Sequence, residues 1–419
     1  MIRVEIERCS IKSIDKFEIM RKLLLTLYYL FVVCLGTSAQ EPCPCVIPAL
    51  QQWKGGNGKL LLPVEGSIVV NPANEAELLS TARILVDDLR DLMNWHYIIK
   101  TGKPQRNDIY LSLIKPDKQL GDEGYVLATT HYVSIEAPTV KGLFWGTRSL
   151  LQILYNQQGK LPKGTARDFP KFSSRGFMLD VARKFFTLDY LKQYVKILSF
   201  YKMNEFQIHL NDNGFPQFFN NDWKMTYAAF RLESERFPGL TAKDGSYTKQ
   251  EFSNLQRMGM SYGVNVIPEI DIPGHSRAAI KAMNARYRKY IDTDQSKAEE
   301  YLLIDFADTS QYLSAQNFTD NVINVAMLST YRFLEKVIDE IGRMYQDAGV
   351  ELPAFHVGGD EVPEGIWEGS SVCRTFMKKH GLTKIRDLKD YFLGQILEML
   401  DKRNIQAVGW QDIVMNPDN

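Results

Sequence analysis

Short apolar segments alternate with longer segments of helical periodicity from Arg175 to the end of the chain. The apolar segments, which are typical of buried strands, are 177–181, 205–210, 264–270, 354–357 and 407–410. The helical segments between them are 188–201, 249–262, 322–345 and 388–403. Because this alternation is typical of parallel strands with covering helices, the sequence predicts an α/β fold for residues 170–419.

Polar residues lie at the end of each predicted strand. They are Asp180 and Arg183; His209 and Asp212; Glu269, Asp271 and His275; Asp360 and Glu361; and Trp410 and Asp412. Functional residues at several strand ends are typical of the (β/α)8 TIM-type barrel, which needs eight strands. Five strands are predicted before Asn419, so we expect an incomplete barrel in a chain that is a fragment.

A smaller α+β domain is predicted over residues 47–160. Strands are expected at 68–70 and 109–112, and helices at 75–93 and 140–155. Residues 157–172 are polar and contain glycine and proline, so they are predicted to link this domain to the barrel.

The N-terminal region has the composition of an export signal. Met20, Arg21 and Lys22 precede an apolar stretch at 23–35, and small residues follow up to Ala39. Residues 1–19 are then an upstream extension. The pattern predicts an exported protein, either periplasmic, at the cell surface or secreted. Cys34 lies inside the signal, so attachment of a lipid anchor to this cysteine is an alternative to secretion. No transmembrane segment is expected in the mature chain.

Composition excludes several partners. The 50 basic and 50 acidic residues cancel, and no basic run is present, so no nucleic-acid partner is expected. The three cysteines of the mature chain, Cys43, Cys45 and Cys373, are too few for a disulfide framework. The six histidines do not show metal-ligand spacing, so neither a metal nor another cofactor is expected.

The segment 356–361, HVGGDE, is typical of a catalytic strand end. Neighbouring side chains on a strand point to opposite faces, so Asp360 and Glu361 can converge only where the backbone bends. Gly358 and Gly359 permit that bend. Two convergent carboxylates suit acid/base chemistry on a sugar acetal, although an ordinary solvated acidic turn would have the same sequence.

Four motifs together resemble glycoside hydrolase family 20, the β-N-acetylhexosaminidases. They are LDVAR at 179–183, HLND at 209–212, PEIDIPGH at 268–275 and HVGGDE at 356–361. Their order and spacing match over about residues 60–415, including the family's small domain before the barrel. The resemblance implies removal of terminal β-linked N-acetylglucosamine or N-acetylgalactosamine with retention, using the substrate's 2-acetamido oxygen as nucleophile.

The resemblance also implies roles for six residues. Glu361 would be the general acid and later the base, and burial would have to raise its pKa to about 6, as in lysozyme. Asp360 would stay ionised, hold the acetamido N–H and stabilise the oxazolinium charge. Arg183 would clamp sugar hydroxyls. Asp180 is not among the six; because it precedes Arg183 on the same strand end, we expect it to hold the guanidinium rather than to contact sugar.

Asp212 and His275 would form a supporting pair in which the carboxylate orients the imidazole and the imidazole tunes the acid. Trp410 would wall the acetamido pocket. Plainer interpretations are a surface arginine, a loop histidine and a core tryptophan. His209 and His356 are interpreted as packing or hydrogen-bonding residues, not proton carriers.

The sequence leaves two alternatives to a hexosaminidase. A non-hydrolytic glycan-binding protein on the same scaffold has no need of a proton donor, so the presence of both Asp360 and Glu361 argues against it. A metal-dependent hydrolase would need histidines at metal-ligand spacing, and this sequence lacks them. The loop Asn213-Gly214-Phe215 departs from the family pattern, and no pocket residue can be assigned from later strands.

Overall fold

The computed structural model describes residues 18, 20–25, 40–222, 225 and 227–414. The chain divides into two compact units, Met1–Pro170 and Lys171–Asn419. Residues 20–25 are helical, and the rest of the predicted export signal lies outside the described residues. Among the helices described, none combines the length and apolar character needed to cross a bilayer.

The first unit is built on a mixed seven-stranded sheet. Its strands are β1 (Gln52–Leu61), β2 (Glu65–Val70), β3 (His96–Thr101), β4 (Ile109–Leu113), β5 (Tyr125–Thr129), β6 (Val133–Ala137) and β7 (Lys160–Asp168). Their order is β1-β7-β5-β6-β4-β2-β3, with parallel pairing from β6 to β3 and antiparallel pairing elsewhere. The predicted strands at 68–70 and 109–112 are confirmed.

Two helices cover this sheet. Helix α1 (Glu75–Met93) has the predicted bounds, and α2 (Val140–Gln157) extends two residues beyond the prediction. The Thr139 side chain accepts a hydrogen bond from Gly142 N–H and so caps the start of α2. Leu150 and Leu154 on α2 are fully buried, which accounts for the apolar periodicity of the sequence.

The predicted linker at 157–172 is wrong, because most of it is strand β7. This strand pairs with both β1 and β5, so the first unit ends at Pro170 rather than at residue 160. Pro162 and Gly164 disguise the strand, since both residue types usually weaken a strand prediction. Gly164 is required by packing, because a Cβ there would lie 2.5 Å from the Trp53 ring.

The second unit contains the five predicted parallel strands. They are β8 (Gly176–Asp180), β9 (Glu205–His209), β12 (Asn265–Glu269), β13 (Ala354–His356) and β14 (Gln406–Val408). Their order is β14-β13-β12-β9-β8, so within the described residues the sheet has open edges at β14 and β8. A short antiparallel pair, β10 (Asn211–Asn213) and β11 (Ala228–Phe230), follows β9 and was not predicted.

Helices connect these strands as expected. The predicted helices correspond to α3 (Leu188–Phe200), α4 (Lys249–Ser261), α7 (Leu328–Ala348) and α9 (Asp387–Asp401). Helix α7 begins later than the predicted residue 322, because residues 322–327 form an irregular segment, of which 322–326 are buried. Helices α5 (Arg277–Tyr290), α6 (Gln295–Glu299) and α8 (Ser371–His380) were not predicted.

Strand register brings the polar strand ends together. His209 is the register partner of both Asp180 and Glu269, and Glu269 is also the partner of His356. These residues are the last of their strands. Because the carboxyl ends of parallel strands share one edge of the sheet, the loops that follow them surround one site.

Candidate active site

The backbone bends sharply after β13. Gly358 and Gly359 have φ angles of 65° and 87°, and Glu361 has a φ of 45°. The space is also tight, since a Cβ at Gly358 would lie 2.0 Å from Asp271 Oδ1. The Gly359 N–H donates a hydrogen bond of 2.8 Å to that same oxygen. The predicted glycine bend is therefore confirmed, and Asp271 fixes it.

The two carboxylates after the bend approach the same histidine. Glu361 Oε2 lies 3.8 Å from His275 Nε2. Asp360 offers a carboxylate oxygen within 4.8 Å of both His275 and Asp271. Asp360 is half-buried. Because both acids lie near His275, they converge on one region rather than pointing to opposite faces of a strand.

Glu361 was expected to be buried, and this expectation is wrong. Among the described residues, its side chain is 40% exposed. The reason is position, because Glu361 lies on the loop beyond the end of β13, whereas the groups around His275 sit deeper among the strand ends.

Arg183 is held by two carboxylates. Its Nη1 lies 2.8 Å from Asp180 Oδ2, and its Nη2 lies 2.7 Å from Asp212 Oδ2. Asp180 Oδ1 also accepts hydrogen bonds from the backbone N–H groups of Ala182 and Arg183. Asp180 therefore holds the guanidinium as expected, and the surface-arginine interpretation is wrong. Burial opposes the charge of Arg183, but Asp212 and Asp180 raise its pKa further.

Asp212 and His275 form the predicted pair, which is buried. Asp212 Oδ1 lies 2.9 Å from His275 Nδ1, and both side chains are almost fully buried. Burial opposes the imidazolium, but the hydrogen bond and charge of Asp212 raise the pKa of His275 to about 9. Burial likewise opposes the Asp212 carboxylate, yet hydrogen bonds from His209 and His275 hold its pKa well below the usual range.

Trp410 is fixed by a buried carboxylate that sequence reasoning did not assign to it. Its Nε1–H donates a 2.8 Å hydrogen bond to Glu269 Oε1, and its ring lies 4.8 Å from that of His356. The tryptophan is half-buried, so it is not a plain core residue. Gln207 Nε2–H donates to the second Glu269 oxygen at 2.7 Å.

Asp271 is a further functional candidate that was recognised only as part of a strand end. Its side chain is almost fully buried, and burial raises its pKa to about 7 despite the attraction of His275 and His209. The sequence signal was present in the pattern Glu269-Ile270-Asp271. The role of Asp271 could not be predicted from this pattern, because it depends on which strand ends lie beside Asp271 in the fold.

Three groups of acidic and histidine side chains in the described part of the chain have potential ligand atoms within 4.8 Å of one another. They are Asp180, His209 and Asp212; His209, Glu269 and Asp271; and Asp271, His275 and Asp360. In the first two groups, both ring nitrogens of His209 face carboxylate oxygens of Asp212 and Glu269. Both nitrogens therefore already have hydrogen-bonding partners within the protein.

The family profile described as glycosyl hydrolase family 20, catalytic domain, matches residues 172–418. The chain belongs to glycoside hydrolase family 20. The profile for domain 2 of the same family matches residues 44–169, which agrees with the extent of the first compact unit.

Two curated relatives that the chain matches are much longer than this chain. A β-hexosaminidase of Vibrio vulnificus is 32% identical over 317 residues, covering 71% of this chain and 37% of that protein. β-Hexosaminidase B of Pseudoalteromonas piscicida is 30% identical over 314 residues, covering 71% and 40%. The chain thus spans less than half the length of these two relatives.

Solved structures of family 20 proteins share the fold. An exo-β-N-acetylglucosaminidase of Vibrio harveyi, in complex with N-acetylglucosamine, aligns with a TM-score of 0.73 at 24% identity, covering 91% of this chain and 57% of that one. A Flavobacterium johnsoniae chitobiase aligns with a TM-score of 0.68 at 26% identity, covering 89% and 53%. The fold is therefore of the TIM-barrel class preceded by a small domain, as predicted.

Proposed function

We propose that this chain carries the acid/base carboxylates of an exo-acting β-N-acetylhexosaminidase. The substrates are glycans with a terminal β-linked N-acetylglucosamine or N-acetylgalactosamine, hydrolysed with retention of configuration. The observation that carries the proposal is the convergence of Asp360 and Glu361 on His275 beyond the glycine bend. Membership of family 20, and relatives described as β-hexosaminidases, support it.

Glu361 is the proposed proton donor to the leaving oxygen, and afterwards the base that takes a proton from water. The imidazolium of His275, 3.8 Å away, attracts a developing carboxylate on Glu361 once the proton has left. Asp360 is the proposed acceptor of the acetamido N–H, which turns the acetamido oxygen toward the anomeric carbon. No further protein nucleophile is then required, because the substrate supplies its own.

Arg183 and Trp410 are the proposed anchors of the sugar. Asp180 and Asp212 fix the guanidinium, so its remaining N–H groups can bind sugar hydroxyls with little loss of side-chain freedom. Glu269 fixes the Trp410 indole, whose flat apolar face suits an N-acetyl methyl group. Both anchors are thus held in place before substrate arrives.

Hydrolysis of 4-nitrophenyl N-acetyl-β-glucosaminide by the purified protein tests this function. Glu361→Gln and Asp360→Asn should each lower kcat by about 100-fold or more, since each removes charge or proton chemistry from the reacting centre. Glu364→Gln, an exposed acid on the same loop, is the matched control and should retain activity. Equal activity in all four proteins would overturn the assignment.

The same variants distinguish an enzyme from a glycan-binding protein without turnover. A glycan-binding protein would bind N-acetylglucosamine without hydrolysing the substrate, and Glu361→Gln would not change its affinity for the sugar. A metal-dependent hydrolase would lose activity on treatment with a chelator, whereas the proposed mechanism is insensitive to it.

Export is part of the proposal and rests on residues 20–39 alone. A periplasmic, cell-surface or secreted location would give the enzyme access to glycans outside the cytoplasm. Determination of the N-terminal residue of protein isolated from its native host tests this. A chain that begins after Ala39 supports cleavage by a signal peptidase, and an intact Met1 or Met20 contradicts it.

A further inference from the structure

His209 faces a carboxylate at each of its ring nitrogens. Its Nε2 lies 2.7 Å from Asp212 Oδ2, and its Nδ1 lies 3.1 Å from Glu269 Oε1. The side chain is 6% exposed, so water cannot easily replace either partner. A neutral imidazole carries only one N–H, and an ionised carboxylate only accepts. One of the three groups must therefore carry an additional proton.

The other hydrogen bonds locate that proton on the imidazole. Asp212 Oδ2 is also 2.7 Å from Arg183 Nη2, and Asp212 Oδ1 receives His275 Nδ1–H and the Asn213 N–H. Each oxygen of Asp212 thus already faces a group that donates. Hydrogen bonds donated by several groups stabilise the ionised form of a carboxyl, so the proton shared with His209 belongs on the imidazole rather than on Asp212.

The same holds for Glu269. Its Oε1 accepts from Trp410 Nε1–H, and its Oε2 accepts from Gln207 Nε2–H. An indole N–H and an amide NH₂ are donors only, so both of these hydrogen bonds stabilise the ionised form of Glu269. Both carboxyls are consequently ionised.

We infer that His209 is a buried imidazolium that acts as a positioning residue, joining the sugar clamp to the wall of the acetamido pocket. On one side it holds Asp212, which orients Arg183 and His275. On the other side it holds Glu269, which orients Trp410. The positioning role rests on the proposed function, whereas the charge state rests on the hydrogen bonds alone.

Electrostatics at the strand ends support the positive charge. The groups that face His209 are the carboxyls of Asp180, Asp212, Glu269 and Asp271, with Arg183, His275 and His356 beyond them. Burial opposes the imidazolium, but Asp212 and Glu269 raise the pKa of His209 well above its usual value. A neutral residue at this position would leave the Asp212 and Glu269 carboxylates without the cation between them.

Nitrogen-15 NMR of the histidine side chains in the unmodified protein tests the charge directly. At about pH 8 an ordinary histidine, with a pKa near 6.5, is almost entirely neutral. His209 should still show two protonated ring nitrogens there, with the resonances assigned by comparison with His209→Gln. One protonated and one unprotonated nitrogen at this pH would overturn the inference. This measurement needs no hydrolysis, so it remains decisive if the proposed function fails.

The positioning role is tested with His209→Gln and Glu269→Gln. Both should move the indole N–H resonance of Trp410 and lower kcat/KM by about 10–100-fold, the range typical for loss of the partners that orient metal-binding side chains. His380→Gln replaces an exposed histidine on α8 and is the control. If His209→Gln merely lowers the melting temperature, and both the Trp410 resonance and kcat/KM stay unchanged, the positioning role is wrong.

Discussion

His275 and Asp212 form a buried ion pair whose geometry leaves the far side of the imidazole facing the proposed acid. The pair is 2.9 Å across, and it joins Asp212 on the short strand β10 to His275 on the loop after β12. Its consequence is that proton binding at His275 is coupled both to folding and to the charge on Glu361.

The first prediction concerns stability at alkaline pH. The pKa of folded His275 is about 9, above the ordinary value near 6.5. The resulting stabilisation is fully present below about pH 6.5 and is lost as the pH rises through about 9. Denaturant unfolding should show a decline on the order of 2 kcal/mol across this window, and Asp212→Asn should remove most of it. An unchanged slope in Asp212→Asn would contradict the pairing.

The second prediction concerns Asp271, whose ionisation also lowers the free energy of unfolding as the pH rises, but in a more acidic range. Burial raises its folded pKa to about 7, so ionisation destabilises the fold as the pH rises from about 4 to 7. Asp271→Asn retains an acceptor for Gly359 N–H without the charge. The variant should be more stable than the wild type at about pH 8, by on the order of 1 kcal/mol, with a difference that vanishes near pH 4. A variant less stable at both pH values would contradict the role of burial.

Gly358→Ala should damage the site. Alanine is strained at a φ of 65°, and its Cβ would clash with Asp271 Oδ1. We expect a loss of unfolding free energy on the order of 2–4 kcal/mol, together with loss of hydrolysis. Gly342→Ala, in helix α7 where no atom lies within 4 Å of the added Cβ, is the matched control. It should be neutral or stabilising by about 0.5–1 kcal/mol.

Trp410→Phe separates the indole N–H from the aromatic face. The substitution removes the hydrogen bond to Glu269 and leaves its buried oxygen with one donor fewer. Steady-state kinetics should show a higher KM, by about 10-fold, with a smaller change in kcat. A pure kcat effect would instead place Trp410 at the reacting bond rather than in the pocket wall.

Local pattern was sufficient to predict the parallel strands and the helices with long apolar stripes. It failed for β7, where Pro162 and Gly164 resemble loop residues and only pairing with β1 and β5 makes a strand. It also missed β10 and β11, whose three-residue lengths carry no periodic signal.

The candidate site was predicted unevenly for a similar reason. Contacts between residues close in sequence, such as Asp180 with Arg183, follow from the local chain. The hydrogen bond from Trp410 to Glu269 depends on the register of three neighbouring strands, which one sequence does not reveal. The exposure of Glu361 likewise depends on how the loops after the strands are arranged.

The configuration of the sugar at the moment of its release tests the central claim most directly. Proton NMR can follow hydrolysis of a β-N-acetylglucosaminide by the protein before the product mutarotates. Attack by the substrate's acetamido group, assisted by Asp360 and Glu361, predicts that the β-anomer appears first. Initial appearance of the α-anomer would contradict the account, because it would mean a single displacement by water.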